Sequence, residues 1–352
     1  MQDPSEDELI AWLRGRLRGR LDPDLLGDDA AVLDPPAEGG RLVATVDSQI
    51  AGVHYPAGLD PALVAARLVA VNLSDVAATG ADPTHALLAL SAPAGYDRRR
   101  FFAGLLPALR EHGVVLAGGD LASTGGGPAV ATLTVLGRVP AGREPLRRGA
   151  ARPGDALWVG GTLGGSAAGR HLLAAGAAAR AGGELDDDPS LGLEIELPPG
   201  LPAALAEASR EAVARHLLPA PQLALGRALA EAAARRGRPA AAIDLSDGLS
   251  TDLGRLCRES GCGAEVVADE LPVDSGLAGL AGRLGRPARE LALSGGEDYV
   301  LLFTLPDGEE PPGGPGARRI GRITEGSGAV LVTAQGAEPL TPAGWDHLAA
   351  ER

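Results

Sequence analysis

The residues of this chain with the most chemistry in them are aspartates, and they do not lie where solubilising charge belongs. Asp47, Asp120 and Asp244 each follow an apolar run that reads as a strand, and Asp29 and Asp247 lie by glycine-bearing turns. Asp75 shares a helical face with Asn72 and Thr79, at spacings of three and four. Acids placed for solubility sit on outer helix faces. Acids at strand ends gather at the rim of a sheet, where α/β proteins bind ligands. Like charges gathered there repel unless a cation neutralises them. Hard oxygen donors, with no His/Cys cluster in competition, point to Mg2+ or a similar ion. Glycine-rich turns at 118–119, 160–165 and 295–296 would let backbone N–H groups come close to phosphates. Together these features predict a nucleoside triphosphate held through metal, and phosphoryl transfer as the reaction class.

Composition narrows the field further. The 352 residues carry 46 acidic and 32 basic side chains, a net charge of -14, which disfavours a nucleic-acid groove or an anionic membrane surface. There is no lysine, so all 32 cations are arginines. That absence excludes a Walker A phosphate loop, a Schiff-base lysine and the strand lysine of protein kinases. The two cysteines, Cys257 and Cys262, are too few for a disulfide scaffold or a structural zinc site and fit a reducing cytosol. The first residues are acidic and lack an apolar signal core, and no uncharged apolar stretch approaches about 18 residues. A cytoplasmic location is the expectation.

The elements that must position the aspartates alternate between strand and helix. Leu42–Val46 reads as a strand ending at Asp47, and Asp60-Pro61 opens a helix with Val64, Leu68 and Val71 on one side and Gly80 as its stop. A helix from about Arg98 to His112, a strand at 114–116 ending in Gly118-Gly119-Asp120, and a strand over 129–139 follow. A domain boundary near 145 separates 1–145 from 146–352. The second half begins with strand Ala156–Val159 and a helix through Leu173. Residues 176–205, rich in Gly, Pro and Asp, read as a surface excursion. A helix over 221–236, strand Ala241–Ile243 running into Asp244-Leu245-Ser246-Asp247-Gly248, a helix beyond it, and strand Tyr299–Thr304 complete the pattern. The class is α/β, an α+β mixture in two domains. Of the other polar residues, His54 sits in Gly52-Val53-His54-Tyr55, Arg147-Arg148 could grip a phosphate bidentately, and the remaining histidines form no metal spacing.

Seven motifs then follow one another in order. They are Gly27-Asp28-Asp29-Ala30-Ala31, Asp47 with Gly52-Val53-His54, Asn72-Leu73-Ser74-Asp75, Gly118-Gly119-Asp120, Arg152-Pro153-Gly154-Asp155, Asp244-Leu245-Ser246-Asp247-Gly248 and Ser294-Gly295-Gly296-Glu297-Asp298-Tyr299. The series resembles the thiamine-monophosphate kinase family, a branch of the aminoimidazole ribonucleotide synthetase-like superfamily. The resemblance implies direct transfer of the ATP γ-phosphoryl group to thiamine monophosphate, with no phosphoenzyme. It implies that Asp29, Asp47, Asp75, Asp120, Asp244 and Asp247 hold several Mg2+ ions with Thr45. It further implies that Gly119, Asp120, Arg148 and Ser246 contact ATP, and that His54, Glu297 and Trp345 contact thiamine monophosphate. The fold it implies is a two-domain α/β structure whose N-terminal domains pair across a homodimer, binding metal and ATP, with a C-terminal α/β domain beyond.

The chain departs from the family pattern in places. Val46 stands where a hydroxyl residue is usual, Ser48 where threonine is common, and no arginine follows Asp120 in Leu121-Ala122-Ser123-Thr124. No departure removes a carboxylate. An aminoimidazole ribonucleotide synthetase is the near alternative, and a selenophosphate synthetase lacks its N-terminal Cys or selenocysteine here. A haloacid-dehalogenase-like phosphohydrolase needs two aspartates two apart, whereas Asp244 and Asp247 are three apart. A non-catalytic ATP-binding protein could shed carboxylates, and all six are kept.

Overall fold

The structure, a computed structural model, describes Trp12, Gly15, Arg16 and residues 39–182, 192–312 and 316–344. The chain divides into two compact units. The first takes residues up to 76 with 82–141 and 178–196, and the second takes 77–81, 142–177 and the rest from 197.

In the first unit, β1 (Gly40–Ile50), β2 (Asp82–Ala92), β3 (Val115–Ser123) and β4 (Val130–Pro140) form a sheet in the order β1-β4-β2-β3. β4 pairs antiparallel with β1 and β2, and β2 pairs parallel with β3. Burial alternates residue by residue along β4, as expected of a strand with one face on a core. Two helices belong here, α1 (Pro61–Thr79) and α2 (Arg98–Glu111). The Asp60 side chain accepts from the Ala62 N–H at 3.0 Å and caps α1, as the Asp60-Pro61 pair predicts, and Gly80 ends it at φ +70. α1 is the one described helix long and apolar enough to cross a membrane by length and composition, but 83% of that window is buried in the fold. It is a core helix: Leu63, Leu68 and Leu73 have no exposure, each worth roughly 1.5–3 kcal/mol on burial.

Two expectations about strand ends need correction. Asp47 lies inside β1, opposite Leu133, and Asp120 lies inside β3, opposite Ala89. The Gly118-Gly119 pair does not break β3. Gly119 lies so close to β2 that a Cβ would collide with the Leu88 carbonyl, so glycine here permits pairing rather than a turn. The excursion after 176 also carries structure, an antiparallel hairpin of β6 (Ala178–Gly182) and β7 (Gly192–Glu196). Asp60 clasps that hairpin to α1, accepting from the Ala181 N–H at 2.8 Å and from Arg100, which also donates to the Ala181 carbonyl at 3.0 Å. Burial alone would raise the Asp60 pKa, but the Arg100 guanidinium and the Ala181 and Ala62 amides outweigh it and hold it below the usual carboxylate value.

The second unit is built on a seven-stranded mixed sheet. Its strands are β5 (Ala156–Val159), β8 (Ala242–Asp244), β9 (Gly263–Val267), β10 (Leu301–Leu305), β11 (Arg318–Thr324), β12 (Gly328–Thr333) and β13 (Gly336–Pro339), in the order β13-β12-β9-β11-β5-β10-β8. Helices α3 (Gly165–Ala174), α4 (Ala206–Leu217), α5 (Leu223–Arg236), α6 (Leu249–Ser260), α7 (Leu277–Leu284) and α8 (Ala288–Ser294) accompany it. β5 and β10 are buried along their whole length. Leu249, Leu253 and Leu256 of α6 pack with Leu157, Ile243 and Leu302 in the core. The strand expected from Tyr299 starts at Leu301, because Glu297 and Tyr299 have φ of +60 and +50, outside any strand conformation.

Candidate functional site

In the first unit, chain alternation and helix spacing converge on one pair of contacts. Thr45 and Asp47, two apart on β1, share a sheet face. Thr45 Oγ1 donates to Asp75 Oδ2 at 2.6 Å, and the Asp47 N–H donates to Asn72 Oδ1 at 3.0 Å. Asn72, the only asparagine of the chain, is fully buried and uses its other end to donate to the Leu68 carbonyl at 2.9 Å. It therefore fixes α1 against β1 and sets Asp75 beside Thr45. Thr79 lies a turn beyond, where the chain passes to the second unit. Val46 points the other way and is 58% exposed. Ser48, two residues on, bonds Thr132 at 2.7 Å. His54 receives the Ile50 N–H on Nδ1 at 2.9 Å, so a neutral ring carries its proton on Nε2. Gly119 and Asp120 are exposed on β3, with β4 and β2 between them and β1. Among the described residues, no three His, Cys, Asp or Glu side chains come together closely enough to hold a metal. Asp29 lies outside the described residues.

In the second unit the site residues lie on two segments laced together. Asp244 ends β8 and is 3% exposed, and Ser246 and Asp247 follow in the turn before α6. The Glu297 N–H donates to the Ser246 carbonyl at 2.7 Å, and the Tyr299 N–H to the Leu245 carbonyl at 2.9 Å. The approach requires glycine: a Cβ on Gly296, at φ +71, would stand 2.9 Å from the Ser246 carbonyl oxygen. Glu297, at φ +60, is held in a conformation that costs a non-glycine residue on the order of 1 kcal/mol or more. Arg148 is exposed, and its carbonyl accepts from Ser260 Oγ at 2.8 Å at the end of α6. Trp345 lies outside the described residues.

Several residues in this unit escaped the sequence reading. Asp252, fully buried on α6, accepts on a single oxygen from the Asp247 and Gly248 N–H groups at 3.0 and 3.1 Å. Its other oxygen takes Arg255 at 2.7 Å, and Arg255 also reaches Asp247 Oδ2 at 2.6 Å. Burial, then the charge of Asp247, pushes the Asp252 pKa up to about 6 against the pull of Arg255. Asp298 accepts from the Gly164 and Ser166 N–H groups at 2.8 and 3.3 Å, tying the glycine-rich turn before α3 to the Glu297 segment. Burial pushes Asp298 up to about 7, opposed by those two amides and Arg215. The signal for Asp252 was present, since Asp252 and Arg255 stand three apart on one helix face. Asp298 lies in the seventh motif, but nothing local marks its partners, which lie more than 130 residues away.

Comparison with known proteins places the chain. Residues 27–139 match the AIR synthase related protein N-terminal domain, and residues 152–337 match the corresponding C-terminal domain. A thiamine-monophosphate kinase of Salmonella typhimurium is 39% identical over 306 residues, 86% of this chain and 83% of that protein. A crystal structure of thiamine-monophosphate kinase from Stenotrophomonas maltophilia K279a superposes with a TM-score of 0.72 at 34% identity, over 92% of this chain and 95% of that one. A structure described as AaThiL complexed with AMPPCP and TMP superposes at 0.70 with 28% identity, over 97% of both chains. The chain belongs to the AIR synthase related family and, within it, to the thiamine-monophosphate kinases.

Proposed function

We propose that this protein transfers the γ-phosphoryl group of ATP to thiamine monophosphate, giving thiamine diphosphate and ADP. The observation that carries the reading is kinship across both halves of the chain with proteins named for that activity. The AaThiL complex with AMPPCP and TMP supports the same two substrates here.

The donors fit a hard divalent ion. Asp47, Asp75, Asp120, Asp244, Asp247 and Thr45 offer only oxygen, and Thr45 and Asp75 already stand 2.6 Å apart. These residues, with Asp29, would hold Mg2+, which when bound neutralises charge on the phosphates and polarises the group being transferred. The chain's own groups do the rest. Gly119, Asp120, Ser246 and Arg148 would contact and orient ATP. His54 would present Nε2–H to the substrate phosphate. Glu297 would pair with the thiazolium cation or the ring amino group, and Trp345 would stack on the flat rings. The acceptor is a phosphate oxygen, so transfer is direct and positioning supplies most of the catalysis.

On this reading residues 1–145 form the metal- and ATP-binding and dimerisation domain, and residues 146–352 form the C-terminal α/β domain. Leu42 and Val46 on edge strand β1 are 66% and 58% exposed, and Val53 just beyond is 53% exposed. Such an apolar edge favours pairing with a second copy. The free, buried Cys257 and Cys262 suit a cytoplasmic location. Chromatography of a reaction with ATP, Mg2+ and thiamine monophosphate should yield thiamine diphosphate equimolar with ADP. Radiolabel from [γ-32P]ATP retained on the protein without acceptor would overturn direct transfer, and absence of thiamine diphosphate would overturn the function. Sedimentation as a monomer at micromolar concentration would overturn the dimer.

A further inference from the structure

His216 is 2% exposed at the end of α4, and its Nδ1 lies 3.3 Å from Glu297 Oε2 and 3.2 Å from Ser166 Oγ. A carboxylate only accepts, so with its proton on Nδ1 the ring donates to Glu297, and Ser166 Oγ lies within reach of the same nitrogen. Three features bring the imidazole there. Gly169 of α3 lies so close to α4 that a Cβ would collide with the Ala212 carbonyl, which draws the last turn of α4 onto Ser166. Arg215, next in sequence, donates to Thr162 Oγ1 at 2.5 Å and pairs with Asp274 at 3.2 Å, pinning that helix end to the glycine-rich turn. Asp298 accepts from the Ser166 N–H at 3.3 Å, so Ser166, His216, Glu297 and Asp298 close a ring. Glu297 needs such support, because its backbone is in the left-handed region at φ +60.

We propose that His216 is a positioning residue that aims the Glu297 carboxylate at the cationic, amino-bearing rings of the acceptor substrate. The proposal rests on the reading of Glu297 as a substrate contact. A buried charge-assisted hydrogen bond removes rotamer freedom from the glutamate, so the free site is already arranged for the acceptor. Losing it weakens acceptor binding in ground and transition states alike.

The experiment is steady-state kinetics in both substrates, with melting curves, on His216→Gln, His216→Asn, Glu297→Ala and the Gln/Ala double variant. Glutamine keeps a polar group near the Nε2 position and loses the Nδ1 donor, whereas asparagine Nδ2 falls close to Nδ1. His216→Gln should raise KM for thiamine monophosphate roughly tenfold, with kcat and the ATP KM within about twofold. His216→Asn should restore most of the loss. In the Glu297→Ala background His216→Gln should add nothing, since both changes remove one interaction. An unshifted acceptor KM in His216→Gln, or an added loss in the double variant, overturns the proposal while leaving Glu297 as a contact. An unshifted KM in Glu297→Ala overturns the assignment of Glu297, and the proposal with it.

Discussion

Replacing Asp252 dissects the support of the turn that carries Ser246 and Asp247. Both backbone bonds converge on one carboxylate oxygen, at 3.0 and 3.1 Å, while the other oxygen holds Arg255 at 2.7 Å. Asp252→Ala orphans two amides at a site with no exposure and removes one of the carboxylates facing Arg255. Each orphaned buried donor costs about 1–3 kcal/mol, and the lost bond to an arginine 33% exposed about 1–2 kcal/mol, so the sum should reach roughly 3–8 kcal/mol. In a chain of this size each kcal/mol shifts Tm by about 2–4 °C, giving a drop of at least roughly 6 °C and up to about 30 °C. Asp252→Asn should behave differently. Its carbonyl oxygen can keep both amide bonds, and only the Arg255 bond is lost, which at an arginine 33% exposed is worth about 1–2 kcal/mol. Arg255 then leans wholly on Asp247, at 2.6 Å, and competes with any cation there, so half-saturation in Mg2+ should rise. Differential scanning fluorimetry, with a Mg2+ titration of turnover, reads both effects. Equal melting of the two variants, or an alanine variant within about 2 °C of the parent, would refute the geometric reasoning.

Asp75→Ala should cut turnover by orders of magnitude with the circular dichroism spectrum unchanged, while Thr45→Val, which removes the 2.6 Å bond but keeps the carboxylate, should cost less. Asp60→Ala should lower Tm and increase proteolysis at the β6–β7 hairpin, because it frees the Ala181 N–H and Arg100 together. The folded-state pKa of Asp60 is depressed, so its stabilisation is present above about pH 4 and is lost as pH falls below that; the Tm gap to Asp60→Ala should narrow on acidification. Asp298 has the opposite sign. Its folded pKa is raised to about 7, so the folded state binds the extra proton between about pH 4 and 7, and the stability of the parent relative to Asp298→Asn should fall across that interval as pH rises.

The parts of the fold that could be read from sequence are those with local causes. α1 was visible from its Asp60-Pro61 start, its apolar spacing and Gly80, and the polar face of Asn72 and Asp75 is the face that meets β1. β5 and β4 were visible as apolar or alternating runs. At Asp47 and Asp120 acid and glycine read locally as strand stops, whereas pairing with β4 and β2 carries the strands through them. α4 gives little sequence signal, since its alanines, arginines and glutamates have weak apolar contrast, and His216 on it belongs to no metal spacing. His216 and Asp298 act on partners 50 or more residues away, and only tertiary packing makes those pairs. The hairpin within 176–205 is hidden in the sequence because the Gly and Asp content of that stretch outweighs two strands of five residues.

The central claim is that a phosphate oxygen of thiamine monophosphate accepts the phosphoryl group of ATP. ADP release should therefore be measured with ATP and Mg2+ in the presence of thiamine monophosphate, of thiamine, and of no acceptor. The account predicts rapid release with thiamine monophosphate alone and background rates in the other two. Equal rates with thiamine, or equal rates without acceptor, would contradict it.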